Sequence, residues 1–334
     1  MKSNQLNYII IYLLLFFLIG CSSTDEDSID QVEVEEKQAK SVQLEDKRFF
    51  INQFIEGKNI GREVILRVPI YFDTLRNYPI VFAFHGRGTD NDTWINKLNH
   101  LVGLGEFVGV YPQGYQKMWN SGGNESSKAD DVAFVGDIID ELKEYKNLDF
   151  ERIYAIGTSN GSSMTNKLAL ETTYFCAVAT IVSQLSKANL PNDSTNPTSV
   201  FQINGANDTT IPINGGSKLG YVFLEAFESA KSWASAFECE NFQLQNLGED
   251  ILYIFPNCLE GNEIRYLRIE RGEHNLHWGR PELFVIVWDF LKRFKLIHLL
   301  IGVKDNSNKK RTSKNTNPSY IVARAGLEPA TFGL

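Results

Sequence analysis

The chain has 334 residues, of which 43% are hydrophobic, and its formal net charge is −8. This length allows one large α/β domain or two small ones, and the hydrophobic fraction is sufficient for a sizeable core. The acidic balance, with no Lys/Arg run inside the patterned region, argues against nucleic acid as a partner.

The N-terminus is predicted to be a signal peptide. The stretch LNYIIIYLLLFFLIG is apolar, uncharged and too short to span a bilayer comfortably. It runs into LIGC, which resembles a bacterial lipobox, where Cys21 would be the lipidated first residue; the alternative is an ordinary signal peptide and an unrelated cysteine. We therefore predict a lipoprotein signal peptide over residues 1–21. The protein would then be exported and anchored to a membrane, at the outer membrane or the cell surface.

Residues 22–48 are predicted to be an acidic, disordered tether, because they are rich in Asp and Glu and poor in aromatic residues. From residue 49 onward, short apolar runs alternate with amphipathic segments. Strands are predicted in EVILRVPIYF (an edge strand or hairpin), YPIVFAFHG, EFVGVYPQG, RIYAIG, AVATIV, SVFQING and EIRYLRIER. Helices are predicted in DVAFVGDIIDELKEY, SSMTNKLALE, FLEAFESAKSWASAF and PELFVIVWDFLKRFK.

Strands that alternate with helices predict a mostly parallel, doubly wound sheet in a single α/β domain over residues 49–297. Residues 298–334 lack this periodicity, and we expect them to form a disordered tail. Cys239 and Cys258 flank two strand-like runs, FQLQNL and ILYIF, at a spacing that a disulfide could close. Cys176 lies in an apolar stretch and is predicted to be a buried free thiol.

The segment GTSNG places Ser159 between two glycines, where a strand passes into a helix. This context is typical of a nucleophile elbow, in which a strained turn exposes the serine hydroxyl; the alternative is a tight structural turn. Serine needs an adjacent base, and the loop after the last predicted strand offers His274 and His277. We favour His274, and His277 remains the alternative.

The acid of such a triad is expected between the serine and the histidine in chain order, just past a strand end. Asp208 occupies that position in FQINGANDTTIP; its alternative role is to form an Asx turn. The oxyanion is expected to bind the backbone N–H groups of Asn160 and Arg87. No cluster of His, Cys or carboxylate residues has ligand spacing, so the sequence predicts no metal and no cofactor.

Several motifs in register resemble α/β-hydrolases identified as polyhydroxybutyrate depolymerases, which are close to feruloyl and acetylxylan esterases. They are FAFHGRGTD, GVYPQGYQKMWN, DDVAFVGDIID, YAIGTSNGSSM, INGANDTTIPINGG and CLEGNEIRYLRIERGEH, spread over about residues 80–278. The resemblance implies the α/β-hydrolase fold, a Ser159–Asp208–His274 triad and a Cys239–Cys258 disulfide. The loop around the base departs from the family pattern, because Glu273 precedes the histidine, which keeps His277 open as an alternative.

These features predict a serine esterase that forms an acyl-enzyme. Its substrates would be acyl or feruloyl esters of polysaccharides, or short hydroxybutyrate polyesters. Trp119 and Asn120 follow a strand end and would line the substrate site, although Trp119 could equally be a core aromatic. The alternatives are a serine peptidase on the same fold and a catalytically inactive glycan-binding lipoprotein.

Overall fold

The computed structural model describes residues 42–123 and 127–296. The predicted signal peptide, the lipidation site Cys21, the tether up to residue 41 and the tail over residues 298–334 lie outside the described residues. Within the part that is described, no helix is both long enough and apolar enough to cross a bilayer.

The described chain forms twelve strands and five α-helices. The strands are β1 Lys47–Ile55, β2 Lys58–Arg67, β3 Tyr78–Phe84, β4 Val108–Pro112, β5 Leu148–Thr158, β6 Ala177–Ile181, β7 Ser199–Gly205, β8 Gly216–Lys218, β9 Tyr221–Phe223, β10 Gln243–Leu247, β11 Asp250–Phe255 and β12 Ile264–Ile269. The helices are α1 Thr93–Gly103, α2 Asp131–Leu142, α3 Asn160–Glu171, α4 Ala226–Ala236 and α5 Pro281–Leu291. Tyr115–Lys117 and Leu259–Gly261 form short 3-10 turns.

One large sheet organises the molecule, with the strand order β1-β2-β4-β3-β5-β6-β7-β12-β11-β10. The six central strands, from β4 to β12, run parallel to one another, whereas both ends of the sheet pair antiparallel. β8 and β9 form a separate hairpin. The predicted mostly parallel sheet is therefore confirmed.

Helices cover both faces of the sheet. Every residue of β3, β4, β6 and β7 is buried, which explains why these strands read as continuous apolar runs instead of alternating ones. Apolar side chains of α2, α3 and α4 pack into the core on one face, and those of α1 and α5 pack into the core on the other. This is the doubly wound arrangement that the sequence predicts.

Three elements were not predicted from the sequence: strand β1, helix α1 and the β8–β9 hairpin. β1 pairs antiparallel with β2 along its whole length. α1 buries Trp94, Leu98, Leu101 and Val102, whose helical spacing is a signal that would have located it.

The structure contains the Cys239–Cys258 disulfide, which closes a loop with a sequence separation of 19 residues. The bridge ties the end of α4 to the turn between β11 and β12, so it fastens one end of the sheet. Cys176 is a buried free thiol, and burial raises its pKa to about 12. Both features agree with the sequence predictions.

Candidate active site

Ser159 is the single residue between strand β5 and helix α3. Its backbone angles are φ 55° and ψ −120°, a region that residues other than glycine rarely occupy. The Ser159 N–H donates to the carbonyl of Ile181 at 2.9 Å, which fixes the turn against β6. The strained turn therefore holds the serine at the carboxyl end of β5 and at the N-terminus of α3.

The two glycines of GTSNG let this strand, this helix and a neighbouring strand approach closely. A Cβ at Gly157 would lie 2.3 Å from the carbonyl oxygen of Gly161, and a Cβ at Gly161 would lie 2.1 Å from that of Phe84. Both distances are far shorter than any real Cβ contact. Glycine is thus required at both positions by the packing of the backbone around Ser159.

Three side chains that are far apart in sequence form one hydrogen-bonded chain. His274 Nε2 lies 2.9 Å from Ser159 Oγ across 115 residues, and His274 Nδ1 lies 2.7 Å from Asp208 Oδ2 across 66 residues. An Nδ1–H that donates to the carboxylate leaves Nε2 free to accept the serine proton. The structure therefore brings together the three residues predicted for a triad, with His274 rather than His277 against Ser159.

The acid and the base meet because their loops follow neighbouring parallel strands. β7 and β12 pair up to Gly205 opposite Ile269, where both strands end. Beyond that point the Asn207 N–H donates to the Gly272 carbonyl at 2.8 Å. A Cβ at Gly205 would lie 2.3 Å from the same carbonyl oxygen, so glycine permits the two loops to come this close.

The Asp208 carboxylate has two separate tasks, one for each oxygen. Oδ1 accepts the N–H groups of Thr210 and Ile211 at 2.8 and 2.9 Å. Oδ2 faces His274, and the side chain is only 1% exposed. The turn role and the triad role, which were alternatives at the sequence level, are therefore both compatible with the structure.

The two residues predicted to bind an oxyanion through their backbone amides both belong to the site. Asn160 is the first residue of α3, and Arg87 lines the same cavity as Ser159. Within residues 42–123 and 127–296, neither N–H donates a hydrogen bond to the protein. The Asn160 side chain is held by the backbone of Trp119, whose N–H it accepts at 2.7 Å and whose carbonyl it contacts at 3.1 Å.

Two curated proteins show what the sequence resembles. Feruloyl esterase B of Piromyces equi is 26% identical over 251 residues, which cover 70% of this chain and 46% of that protein. The bifunctional acetylxylan esterase/xylanase XynS20E of Neocallimastix patriciarum is 24% identical over 288 residues, which cover 80% of this chain and 38% of that protein. The chain thus spans less than half the length of these two relatives. No family model matches the sequence.

Among solved structures, an acetyl xylan esterase from Aspergillus awamori superposes with a TM-score of 0.54. The match covers 73% of this chain and 99% of that one, at 13% identity. The chain has the α/β-hydrolase fold. The relatives are named feruloyl and acetylxylan esterases, as the sequence resemblance implied, whereas a place in the polyhydroxybutyrate depolymerase-like group stays a prediction.

A buried histidine supports the loop that carries Arg87. His85 is fully buried at the end of β3, and its Nε2 accepts the N–H of Gly114 at 2.9 Å. The proton must then be on Nδ1, which donates to the Gly86 carbonyl at 2.8 Å. Burial lowers the pKa of His85 to about 4, so the ring is neutral near pH 7.

This burial predicts a loss of stability in mild acid. Below pH 6.5 the unfolded chain binds a proton at His85 that the folded protein takes up only near pH 4. The free energy of unfolding is therefore highest above pH 6.5 and falls as the pH drops from there towards 4, by about 3 kcal/mol from this residue. Urea unfolding of the wild type and of His85→Gln, repeated across that pH window, measures how steeply the free energy of unfolding falls with pH in each protein. An equally steep fall in both would contradict the prediction.

The structure corrects the prediction that Trp119 and Asn120 line the substrate site. The Trp119 side chain is fully buried, packs edge-on against Phe84 and donates its indole N–H to the His85 carbonyl at 2.8 Å. Asn120 bonds to Asp131 and Ala129, and neither residue lines the cavity at Ser159. Of the two interpretations of Trp119, the core aromatic is therefore the one that fits the structure. Its hydrogen bonds to Asn160 and to the His85 carbonyl hold the turns at Ser159 and His85.

The cavity at Ser159 measures about 810 Å³ and brings in residues that sequence reasoning missed. Helix α1 contributes Thr93, Asn96 and Lys97 to its wall, and the loop around the base contributes His277 and the exposed Trp278. The helical spacing in α1 would have located the helix, but no local signal places it beside Ser159.

His277 lies in the wall of this cavity, whereas His274 makes the hydrogen bond to Ser159 Oγ. The His277 side chain is 6% exposed, and its Nδ1 has no hydrogen-bond partner within the described chain. Burial, reinforced by the charges of Lys97 and His274, lowers its pKa to about 3. An imidazole with so low a pKa is a weak base, and the hydrogen bond to Ser159 Oγ is made by His274, which leaves that role to His274.

Proposed function

We propose that this protein is a serine carboxylester hydrolase that works through an acyl-enzyme. The observation that carries the proposal is the continuous hydrogen-bonded chain from Ser159 Oγ through His274 to Asp208, built on a strained turn. The names of the sequence relatives support ester hydrolysis as the reaction.

The first half of the reaction forms the acyl-enzyme. Ser159 Oγ attacks the ester carbonyl while His274 Nε2 takes its proton, and the negative charge moves onto the carbonyl oxygen. The N–H groups of Arg87 and Asn160, with the N-terminal end of α3, stabilise that oxyanion. Collapse of the intermediate breaks the bond to the alcohol, whose oxygen receives the proton from His274.

The second half returns the enzyme to its starting state. Water gives a proton to His274 and attacks the acyl carbon, which forms a second oxyanion. As that intermediate collapses, the Ser159 ester bond breaks, His274 returns the proton to Oγ, and the carboxylic acid leaves. Asp208 holds the imidazole in one tautomer and orientation and stabilises its cationic form in both halves. Besides the ester, water is the only reactant that these steps use.

The substrates that we favour are acyl or feruloyl esters of polysaccharides, with short hydroxybutyrate polyesters as a second class. The names of the relatives support the first class. The cavity is also suited to a sugar, because Asn and Thr side chains and an exposed tryptophan line it.

We also propose that the protein is exported and held at a membrane through a lipid on Cys21. The tether is then shorter than the predicted 22–48, because Leu44 is buried and β1 begins at Lys47. The lipobox-like sequence supports the anchor. The Cys239–Cys258 disulfide supports an oxidising compartment.

Labelling with a fluorophosphonate tests the proposed function. We expect the probe to attach to Ser159, because the reagent phosphonylates only an activated serine, and mass spectrometry of the peptides locates the adduct. Parallel assays on p-nitrophenyl esters, acetylated xylan, feruloylated arabinoxylan and peptides should show turnover of esters. Faster turnover of peptides would favour the peptidase, and no labelling would favour a glycan-binding protein without activity.

A further inference from the structure

The active-site cavity contains a half-buried ammonium group that no carboxylate neutralises. Lys97, on α1, lines the same cavity as Ser159 and His274. Its Nζ lies 4.7 Å from the ring centroid of Trp94. No carboxylate of the described residues forms an ion pair with it, and burial alone lowers its pKa to about 8. Because a buried charge without a partner is costly, this position suits an anion supplied from outside.

A second polar group in the same wall also has no partner. His277 is 6% exposed, and its Nδ1 makes no hydrogen bond within the described part of the chain. That nitrogen is itself buried, so a ligand in the cavity does not reach it, and the neutral imidazole adds no second charge beside Lys97. The imidazole and the ammonium of Lys97 are close enough to influence each other electrostatically.

The other charged groups of the cavity do not neutralise Lys97. The Arg87 side chain is exposed and adds positive charge. Asp208 is engaged by His274 and two backbone N–H groups, and Glu273 is exposed to solvent. The cavity therefore presents an unbalanced cation next to the triad.

Building on the proposed esterase function, we propose that the preferred substrate carries a carboxylate near the reacting ester and that Lys97 binds it. The ammonium supplies a charge-assisted hydrogen bond to this carboxylate. Lys97 is then a specificity-determining residue that touches substrate without taking part in bond making. The carboxylate has two possible sources: the acyl group, as in a monoester of a dicarboxylic acid, or the alcohol, as in a uronic acid.

Two matched substrate pairs separate these sources. p-Nitrophenyl monoglutarate against p-nitrophenyl pentanoate places the charge on the acyl group. O-Acetylglucuronic acid against O-acetylglucose places it on the alcohol. We expect wild-type protein to prefer the charged member of at least one pair in kcat/KM. We also expect that preference to shrink at high NaCl, because salt screens the attraction.

Lys97→Met tests the residue itself. We expect it to lower kcat/KM for the preferred charged substrate by about 10- to 100-fold, and for the neutral partner by less than about 3-fold. Lys97→Arg should retain most of the preference. Lys143→Met is the matched control, since it removes the same charge from the exposed end of α2. It should leave kcat/KM unchanged for both the charged and the neutral substrate.

The outcomes distinguish this inference from the proposed function. Two results would overturn the role of Lys97 and leave the esterase intact. One is ester turnover with no preference in either substrate pair. The other is an equal loss of kcat/KM for the charged and the neutral substrate in Lys97→Met. Turnover of no ester at all, with no fluorophosphonate label, would overturn both. If Lys97→Met folds poorly, the preference of the wild type and its salt dependence still decide the question.

Discussion

Replacing Ser159 with alanine is expected to lower ester turnover by at least about 10⁴-fold, the scale seen when a triad nucleophile is removed. The change deletes Oγ, whose hydrogen bond in the structure is to His274 Nε2, so nothing remains to form the acyl-enzyme. Stability should change little, because alanine keeps the Cβ and the backbone turn. Initial rates on p-nitrophenyl acetate, with circular dichroism and urea unfolding, measure both effects.

A serine on the same helix provides the control. Ser163 is also buried in α3, and its Oγ contacts that of Ser183 at 3.0 Å instead of a base. Ser163→Ala should retain turnover within about 10-fold of the wild type and keep the fluorophosphonate label, since only the activated hydroxyl reacts. Activity in Ser159→Ala equal to that in Ser163→Ala would remove Ser159 from the proposed mechanism.

The sequence predicts the parts of the site that depend on local geometry. GTSNG specifies a turn, because the glycines permit backbone contacts that a Cβ would block. Asp208 and His274 follow strand ends, and parallel strands bring their carboxyl ends to one edge of a sheet. Such residues can be placed without knowing the rest of the fold.

What the sequence does not predict depends on contacts between distant elements. Trp119 follows a strand end, as a substrate-binding residue would, and only the packing of the Ser159 and His85 turns around it makes it a core residue. Lys97 belongs to helix α1, which connects β3 to β4. These two strands are neighbours in the sheet, so the connection passes over one face and places α1 beside the triad. Neither the burial of Trp119 nor the position of Lys97 beside the triad can be predicted from the residues that surround it in the sequence.

The largest effect on stability is expected from breaking a buried ion pair that lies beneath the loops of the site. Arg62 Nη2 lies 2.6 Å from Asp131 Oδ1, and the two side chains are 2% and 0% exposed. The guanidinium also stacks on Phe134 and donates to the Gln113 carbonyl, while Asp131 Oδ2 accepts the N–H of Asn120 at 2.6 Å. The pair thus connects strand β2, the end of β4, the Asn120 loop and helix α2.

Arg62→Met is expected to destabilise the protein by about 3–5 kcal/mol, because it leaves the Asp131 carboxylate buried without its cation. Burial already raises the pKa of Asp131 and the Arg62 guanidinium opposes that rise, so the pKa in the variant should be higher still. An acid with a raised pKa in the folded state is tolerated while protonated. The cost should therefore be smaller near pH 4 than at pH 7, as urea unfolding at the two pH values would measure.

The double variant Arg62→Met/Asp131→Leu separates two quantities: the contribution of the ion pair to stability, and the cost of leaving the Asp131 carboxylate buried and unpaired. Removing both partners leaves no buried ion, so the double variant should be more stable than Arg62→Met alone, and its unfolding should not show the extra cost at pH 7. The single variant Asp131→Leu completes the cycle: if its effect on the free energy of unfolding and that of Arg62→Met simply add, the ion pair does not couple these elements. The loss in Arg62→Met must then come from the packing of its guanidinium on Phe134 and from its hydrogen bonds to the Gln113 carbonyl.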